Sequence, residues 1–180
     1  MNKRYSFMNP EMIIAGSALT VSLITAFVSI YSAFIDRAYA RASVWPRLEI
    51  QMSYNNVPNK ASFSYFAANK GTGPAVIKYA RLTYDNQPIK RWSDYLTLRI
   101  GHVVSHSQSP IGFIVLSAGE TSTPLHVLDA EAAKQLTEND TLQIELCYCS
   151  IYDECWLVDR TNEPKPVAQC GIDEKQRFLQ

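Results

Sequence analysis

Three of the chain's four cysteines lie in one short stretch, CYCSIYDECW, at residues 147–156. Thiols this close could hold a metal ion, exchange electrons or cross-link a hairpin. A zinc centre takes about four ligands, usually with C-x₂₋₄-C spacing. Cys147 and Cys149 are separated by a single residue, so on a strand they project in parallel rather than toward one ion. Cys170 or His126 would have to fold back to complete such a centre. A redox pair would want C-x-x-C at a helix start, and the stretch does not have it. A hairpin accounts for more of the residues. With its turn centred on Tyr152, Cys149 faces Cys155, Tyr148 faces Trp156 and Leu146 faces Val158. One face then carries Ile144, Leu146, Tyr148, Trp156 and Val158 into a core, and the other carries the cysteines. A Cys149–Cys155 disulfide requires Cα atoms about 4.4–6.8 Å apart. It would form in an oxidising compartment and stay open in the cytosol. The expectation is a structural hairpin whose cysteines perform no chemistry.

Other chemistry-bearing types are scattered. NKGTGPAVIK at 69–78 has glycines and a lysine but does not match the phosphate-loop pattern. Pro74 removes an amide hydrogen that a phosphate would use, so Gly71 and Gly73 are expected to allow a tight corner. His102 and His106 stand four apart in HVVSH, within residues that favour loop or strand, where that spacing does not chelate easily. No G-x-S-x-G is present, and no Ser/His/Asp set can be assigned by type alone. These observations give no catalytic residue, no metal ligand set and no cofactor, and an enzyme is not the expectation.

Lys+Arg and Asp+Glu number 17 each. Residues 37–99 carry ten basic and three acidic side chains, about +7 by difference; residues 101–180 carry five and twelve, about −7. Two halves interleaved in one fold would neutralise each other. The tyrosines alternate with neutral residues, not with a basic stripe, so nucleic acid is not an expected partner.

The element that must position the domain is MIIAGSALTVSLITAFVSIYSAFI, residues 12–35, which has no charge. At 1.5 Å per residue it covers about 36 Å, enough to cross a hydrocarbon core of about 30 Å with some tilt. The AYA at 38–40 resembles a signal-peptide cleavage site. However, a signal h-region runs only about 7–15 residues, and Asp36 and Arg37 intervene, so a retained single span is expected. Ala15, Ala18, Ser22, Thr25, Ser29 and Ser32 recur at spacings of three and four, a seam of small residues that lets helix backbones approach. Arg37, Arg41 and Arg47 follow the span and are candidates for lipid headgroups. Basic residues on the two sides nearly balance. A short leading tail with one anchor leans the domain toward the periplasm or exterior, with the cytoplasmic side open.

Beyond the span, a helical extension over 36–45 should stop before Pro46. Alternation at Leu48, Ile50 and Met52 then marks a strand. Further strands are expected at 61–69, 75–84, 111–116, 121–128, 141–151 and 155–159, with Pro124 suggesting an edge. Short helices are expected at 93–100, capped by Ser93, and at 129–136, capped by Asp129. The expected architecture is mainly β: an immunoglobulin-like sandwich over residues 46–160 with one or two short helices. A short tail (1–11) precedes the span, and a polar tail (161–180), ordered only in part, follows the sandwich.

RASVWPRLEI after a span, NKGTGPAVI and IELCYCSIYDECW together resemble a set of uncharacterised bacterial single-span membrane proteins. Those have an S-V-x-P-x-L junction, an N-x-G-x-G-P-A corner and an aromatic-rich terminal hairpin. The resemblance covers most of the chain and implies a bacterial inner (cytoplasmic) membrane location and a β domain; it carries no activity.

The functional expectation is a membrane-anchored protein-interaction module. It would contact lipid and assemble through its span as a homo-oligomer or with another membrane protein. The alternative is a ligand-responsive effector or sensor, in which a small molecule bound by the β domain alters span assembly. An Arg- or Lys-lined pocket would favour the sensor, and an exposed aromatic edge strand the interaction module.

Overall fold

A computed structural model describes residues 10–57, 60–138 and 140–180. The chain divides into two units, 1–42 and 43–180. The first unit is helix α1, Pro10–Ser43, whose described side chains are none of them buried. It is long and apolar enough to cross a membrane. The helix runs without a break through Ala38, Tyr39 and Ala40. Most of the expected 1–11 tail lies outside the described residues. In α1 the hydroxyls bond back to their own helix: Ser22 Oγ donates to Ala18 O (2.7 Å) and Ser29 Oγ to Thr25 O (2.8 Å). Their polar groups are therefore satisfied before any neighbour arrives.

The second unit is mainly β. Its elements are β1 (Leu48–Asn55), β2 (Ser62–Asn69), β3 (Ala75–Tyr84), β4 (Gln87–Ile89), α2 (Trp92–Ile100), β5 (His106–Ser107), β6 (Ile114–Leu116), β7 (Thr121–Val127), α3 (Ala130–Thr137), β8 (Gln143–Cys149), β9 (Cys155–Asp159) and β10 (Lys165–Val167). Two sheets form. One has the order β1-β2-β7-β5; the other has β10-β9-β8-β3-β4, with β6 also on β3. Alternation sends Leu48, Ile50, Phe63, Tyr65 and Leu125 from the first sheet into the core. Ile77, Leu82, Ile144, Leu146, Tyr148 and Val158 come from the second. Between β3 and β4, Asp85 and Asn86 both hold positive φ (48° and 60°), as a two-residue hairpin turn requires.

Several expectations are corrected. The first short helix begins at Trp92 after Arg91 and has no side-chain cap; Ser93 lies inside it. Trp92 is fully buried, so the core sets this boundary. Asp129 does cap α3, accepting from Ala132 N–H at 2.8 Å. The strand expected over 111–116 shortens to three residues, because Phe113 adopts positive φ (56°). The segment 161–180 is folded rather than partly ordered. It supplies β10, and Phe178 is buried against Trp92, ring centroids 5.1 Å apart.

The glycine corner has a specific purpose. A Cβ on Gly71 would sit 2.3 Å from the Trp45 carbonyl oxygen, and one on Gly73 would sit 1.9 Å from that of Val44. The corner therefore packs directly on the residues where the domain begins. Asn69, fully buried, holds it together. Its Oδ1 accepts from Arg47 N–H (3.2 Å) and Gly71 N–H (3.0 Å), while its Nδ2 donates to Gly73 O (2.8 Å) and Leu116 O (3.0 Å).

Candidate functional site

The hairpin β8–β9 has the register Cys149↔Cys155, Tyr148↔Trp156 and Leu146↔Val158. Tyr148 is fully buried and stacks on Trp156 at 5.7 Å. Trp156 is half-buried, and Trp45 meets it edge-on at 6.5 Å. The cysteines occupy the opposite, outer face, in line with Tyr79 on β3.

All four cysteines are joined. Cys149 bridges Cys155 across the hairpin, Cα atoms 4.0 Å apart, and Cys147 bridges Cys170, Cα atoms 5.7 Å apart. The separation of the first pair lies just below the usual span, as directly opposed residues on neighbouring strands bring their Cα atoms close. Cys170 does fold back, but as a disulfide partner. The sulfurs of Cys149, Cys155 and Cys170 lie within 4.8 Å of one another, a spacing that three thiolates round an ion would have. In the disulfide form each is bonded to sulfur, so none is a thiolate donor.

The Cys147–Cys170 bridge fastens residues 161–180 as a strap over the outer face of the larger sheet. Past the bridge, Gln176 Oε1 accepts from Arg81 (3.1 Å). Lys90 Nζ donates to the carbonyls of Glu174 (2.8 Å) and Arg177 (3.1 Å). Phe178 N–H donates to Ala80 O, and Leu179 N–H to Lys90 O. Under the strap, burial pushes the Tyr79 phenol above its ordinary pKa, with Glu145 beside it adding to the effect. The even cysteine count was the available signal for Cys170; the loop between it and the hairpin gives no periodicity from which to place it.

A polar cavity of about 830 Å³ lies on the same face, its lining including Arg81, Asp140, Gln143, Glu145, Asp159 and Arg160. Arg81 pairs with Glu145 (2.6 Å) and Arg160 with Asp140 (2.8 Å). Tyr65 O–H donates to Asp140 Oδ2 at 2.6 Å. Burial, with Tyr95 and Asp140 nearby, raises the Tyr65 phenol far above its ordinary range, so it remains a donor. The network ties β2 to the cavity wall.

The histidines separate. His106 lies on β5, paired with Val127, and its Nδ1 is 3.0 Å from Val104 O. His102 is exposed beyond α2. His126 Nδ1 is 2.7 Å from Ser64 Oγ, a contact between residues 62 apart in sequence that no local motif announces. Nucleophilic catalysis would need a third group orienting the ring. No carboxylate accepts a hydrogen bond from His126 among the described residues.

At the free edge of the smaller sheet, β1 alternates its backbone groups between β2 and the outside. At Ile50 the outside is closed by one side chain: Asn162 Oδ1 accepts Ile50 N–H (2.7 Å), and Asn162 Nδ2 donates to Ile50 O (3.1 Å). The amide thus imitates one residue of a neighbouring strand. The equivalent outward groups of Met52 and Tyr54 have no hydrogen bond among the described residues. Met52 is 41% exposed.

The seam residues Ala15, Ala18, Ser22, Thr25, Ser29 and Ser32 all lie in α1. Arg37 and Arg41 also lie in the helix, whereas Arg47 belongs to the β unit and pairs with Glu49 at 3.6 Å. No protein-family model, curated protein or solved structure matches this chain.

Proposed function

We propose that this chain is a membrane-anchored interaction module that binds an extended segment of a protein partner along β1. The observation that carries the reading is the Asn162 clasp. Where β1 is closed, it is closed by a strand-like amide pair, and at Met52 and Tyr54 the same edge has no hydrogen-bonded partner among the described residues. An incoming strand would continue that pairing with main-chain hydrogen bonds. Met52 and the half-buried Tyr54 would select the apolar side chains beside them. Exposed edges are ordinarily blunted in soluble domains; this one is blunted at one end only.

The span anchors the module, and its small-residue seam assembles it with a second copy or another membrane helix. Two disulfides support placement of the domain on the oxidising, periplasmic or exterior side of a bacterial inner membrane. The two-sheet unit is read as immunoglobulin-like in character, and its junction and corner motifs as those of the bacterial single-span set it resembles.

A photo-crosslinking residue at Met52, in the full chain in native membranes, tests the reading. A discrete protein adduct is expected there, absent when the residue is placed at Thr141 and lost on adding Ser53→Pro, which breaks the strand. Absence of any adduct at Met52 would count against it. The ligand-responsive alternative rests on the cavity beside Arg81 and Arg160. Each of these cations already pairs with a carboxylate, and a third carboxylate, Asp159, also lines the cavity, so no unpaired cation among the described residues awaits a ligand there and this reading stands second.

A further inference from the structure

The two disulfides touch. Cys149 Sγ lies 3.7 Å from Cys170 Sγ, although the two belong to different bridges. Cys147 and Cys149 are nearly inaccessible (0% and 2%), Cys155 somewhat less so (8%), and Cys170 is half-buried. Disulfides exchange when a thiolate attacks a neighbouring disulfide sulfur and the other sulfur leaves.

We propose that the four sulfurs are a thiol–disulfide exchange site in which Cys170 has two alternative partners, Cys147 and Cys149. The strap therefore stays latched after one bridge is reduced and is released only when an external dithiol opens both.

The steps balance. A thiolate of the external dithiol attacks Cys170 Sγ, the more accessible end of its bridge. A mixed disulfide forms and Cys147 leaves as a thiolate that takes up a proton. The dithiol's second thiol closes onto its own sulfur, leaving as a disulfide and freeing Cys170. Two electrons have passed from the dithiol to the chain. The Cys170 thiolate now faces Cys149 Sγ and attacks it. A Cys149–Cys170 bond forms, the Cys149–Cys155 bond breaks, and Cys155 becomes the thiolate. This second step consumes no reductant. The charge passes from half-buried Cys170 to Cys155, at 8% the more accessible of the two hairpin sulfurs, where it takes up a proton. When Cys149–Cys155 is reduced first, Cys147–Cys170 still holds the strap. A second equivalent of dithiol is needed to free Phe178 and Gln176 from Trp92 and Arg81 and so uncover the outer face round Tyr79.

The test uses the full chain in lipid nanodiscs, titrated with dithiothreitol, acid-quenched and alkylated. Species holding one bridge are mapped by non-reducing peptide mass spectrometry with fragmentation. A Cys149–Cys170 link is expected among them, with Cys147 and Cys155 alkylated. One-bridge species containing only the native pairs would overturn the proposal. In parallel, amide exchange across residues 171–180 is expected to change less than twofold in one-bridge molecules and to accelerate at least tenfold when both bridges open. Acceleration at the first bridge would also overturn it. The Cys147→Ser/Cys155→Ser double variant, oxidised with glutathione disulfide, is expected to form Cys149–Cys170 in most molecules; two free thiols in a cooperatively folded protein would refute it. The wild-type titration gives an answer even if that variant does not fold.

Discussion

Gly73 and Val44 meet backbone to backbone, with room for no atom between them: a Cβ on Gly73 would overlap the Val44 carbonyl. The junction and the glycine corner, separated in sequence by the first two strands, are thus two halves of one contact, closed by Asn69. Gly73→Ala must move backbone, not a flexible side chain. A loss of at least about 3 kcal/mol is expected, the upper end of overpacking costs. Denaturant unfolding of the purified full chain measures it. A change under 1 kcal/mol would show that the junction yields.

Arg160 is the partner of a carboxylate that is nearly buried. The Asp140 side chain is 6% exposed and that of Arg160 31%. Arg160→Ala leaves Asp140 with Tyr65 and the Leu142 N–H as donors. The expected cost is roughly 2–3 kcal/mol, below the range for fully buried pairs because Arg160 is itself partly solvated. Tyr65→Phe removes one donor and should cost about 1–2 kcal/mol. Comparison of the two single variants with the double variant by unfolding gives the coupling. Strict additivity would contradict a shared network.

The seam makes a prediction of its own. Ser22 and Ser29 already satisfy their hydroxyls within α1, so their contribution to association lies in small volume more than in hydrogen bonds across the interface. Ser22→Leu with Ser29→Leu should lower self-association at least fivefold in a transmembrane dimerisation assay. Leu23→Ala with Ile30→Ala should change it less than twofold. Equal effects of both pairs would remove the seam from the argument.

The hairpin register was readable from residues 144–158 because its face alternation is strict and its turn short. The same alternation placed Leu48 and Ile50 in the core. Helix α2 ends at Ile100 as expected but begins one residue early, with its cap two residues early at Arg91, because Trp92 joins the core, a tertiary demand that Ser93's capping propensity does not register. The strap was misjudged for a related reason. Its polar composition is that of an exposed tail, while its order comes from Cys170, from Phe178 and from main-chain bonds to Ala80 and Lys90. The Asn162 clasp was invisible because one side chain reaches across to a strand 112 residues away.

That clasp depends on the turn that holds it, and the turn depends on a carboxylate. Asp159 Oδ1 accepts from the Thr161 hydroxyl (2.6 Å) and the Thr161 N–H (2.8 Å), and Asn162 follows with φ of 60°. The Thr161 hydroxyl, then its backbone N–H, hold the Asp159 carboxyl below its ordinary pKa, against a smaller opposing effect of burial. A carboxyl whose folded pKa is depressed adds stability above its unfolded value and loses it as pH falls through the folded one. The turn is therefore firm at neutral pH and loosens in acid, below the usual carboxylate range. Because the Asp159 side chain is 41% exposed and solvent screens it, the effect is local. Amide exchange at Ile50 reads it out: Asp159→Ala should speed that exchange about tenfold at pH 7, and Asn162→Ala at least as much. In the wild type, exchange corrected for its intrinsic pH dependence should stay level down to about pH 4, the ordinary carboxylate value, and rise as pH falls further; in Asp159→Ala it should stay flat. If Ile50 remains protected in both variants, the edge is closed by something other than Asn162, and the open stretch at Met52 and Tyr54 loses its place as the binding edge.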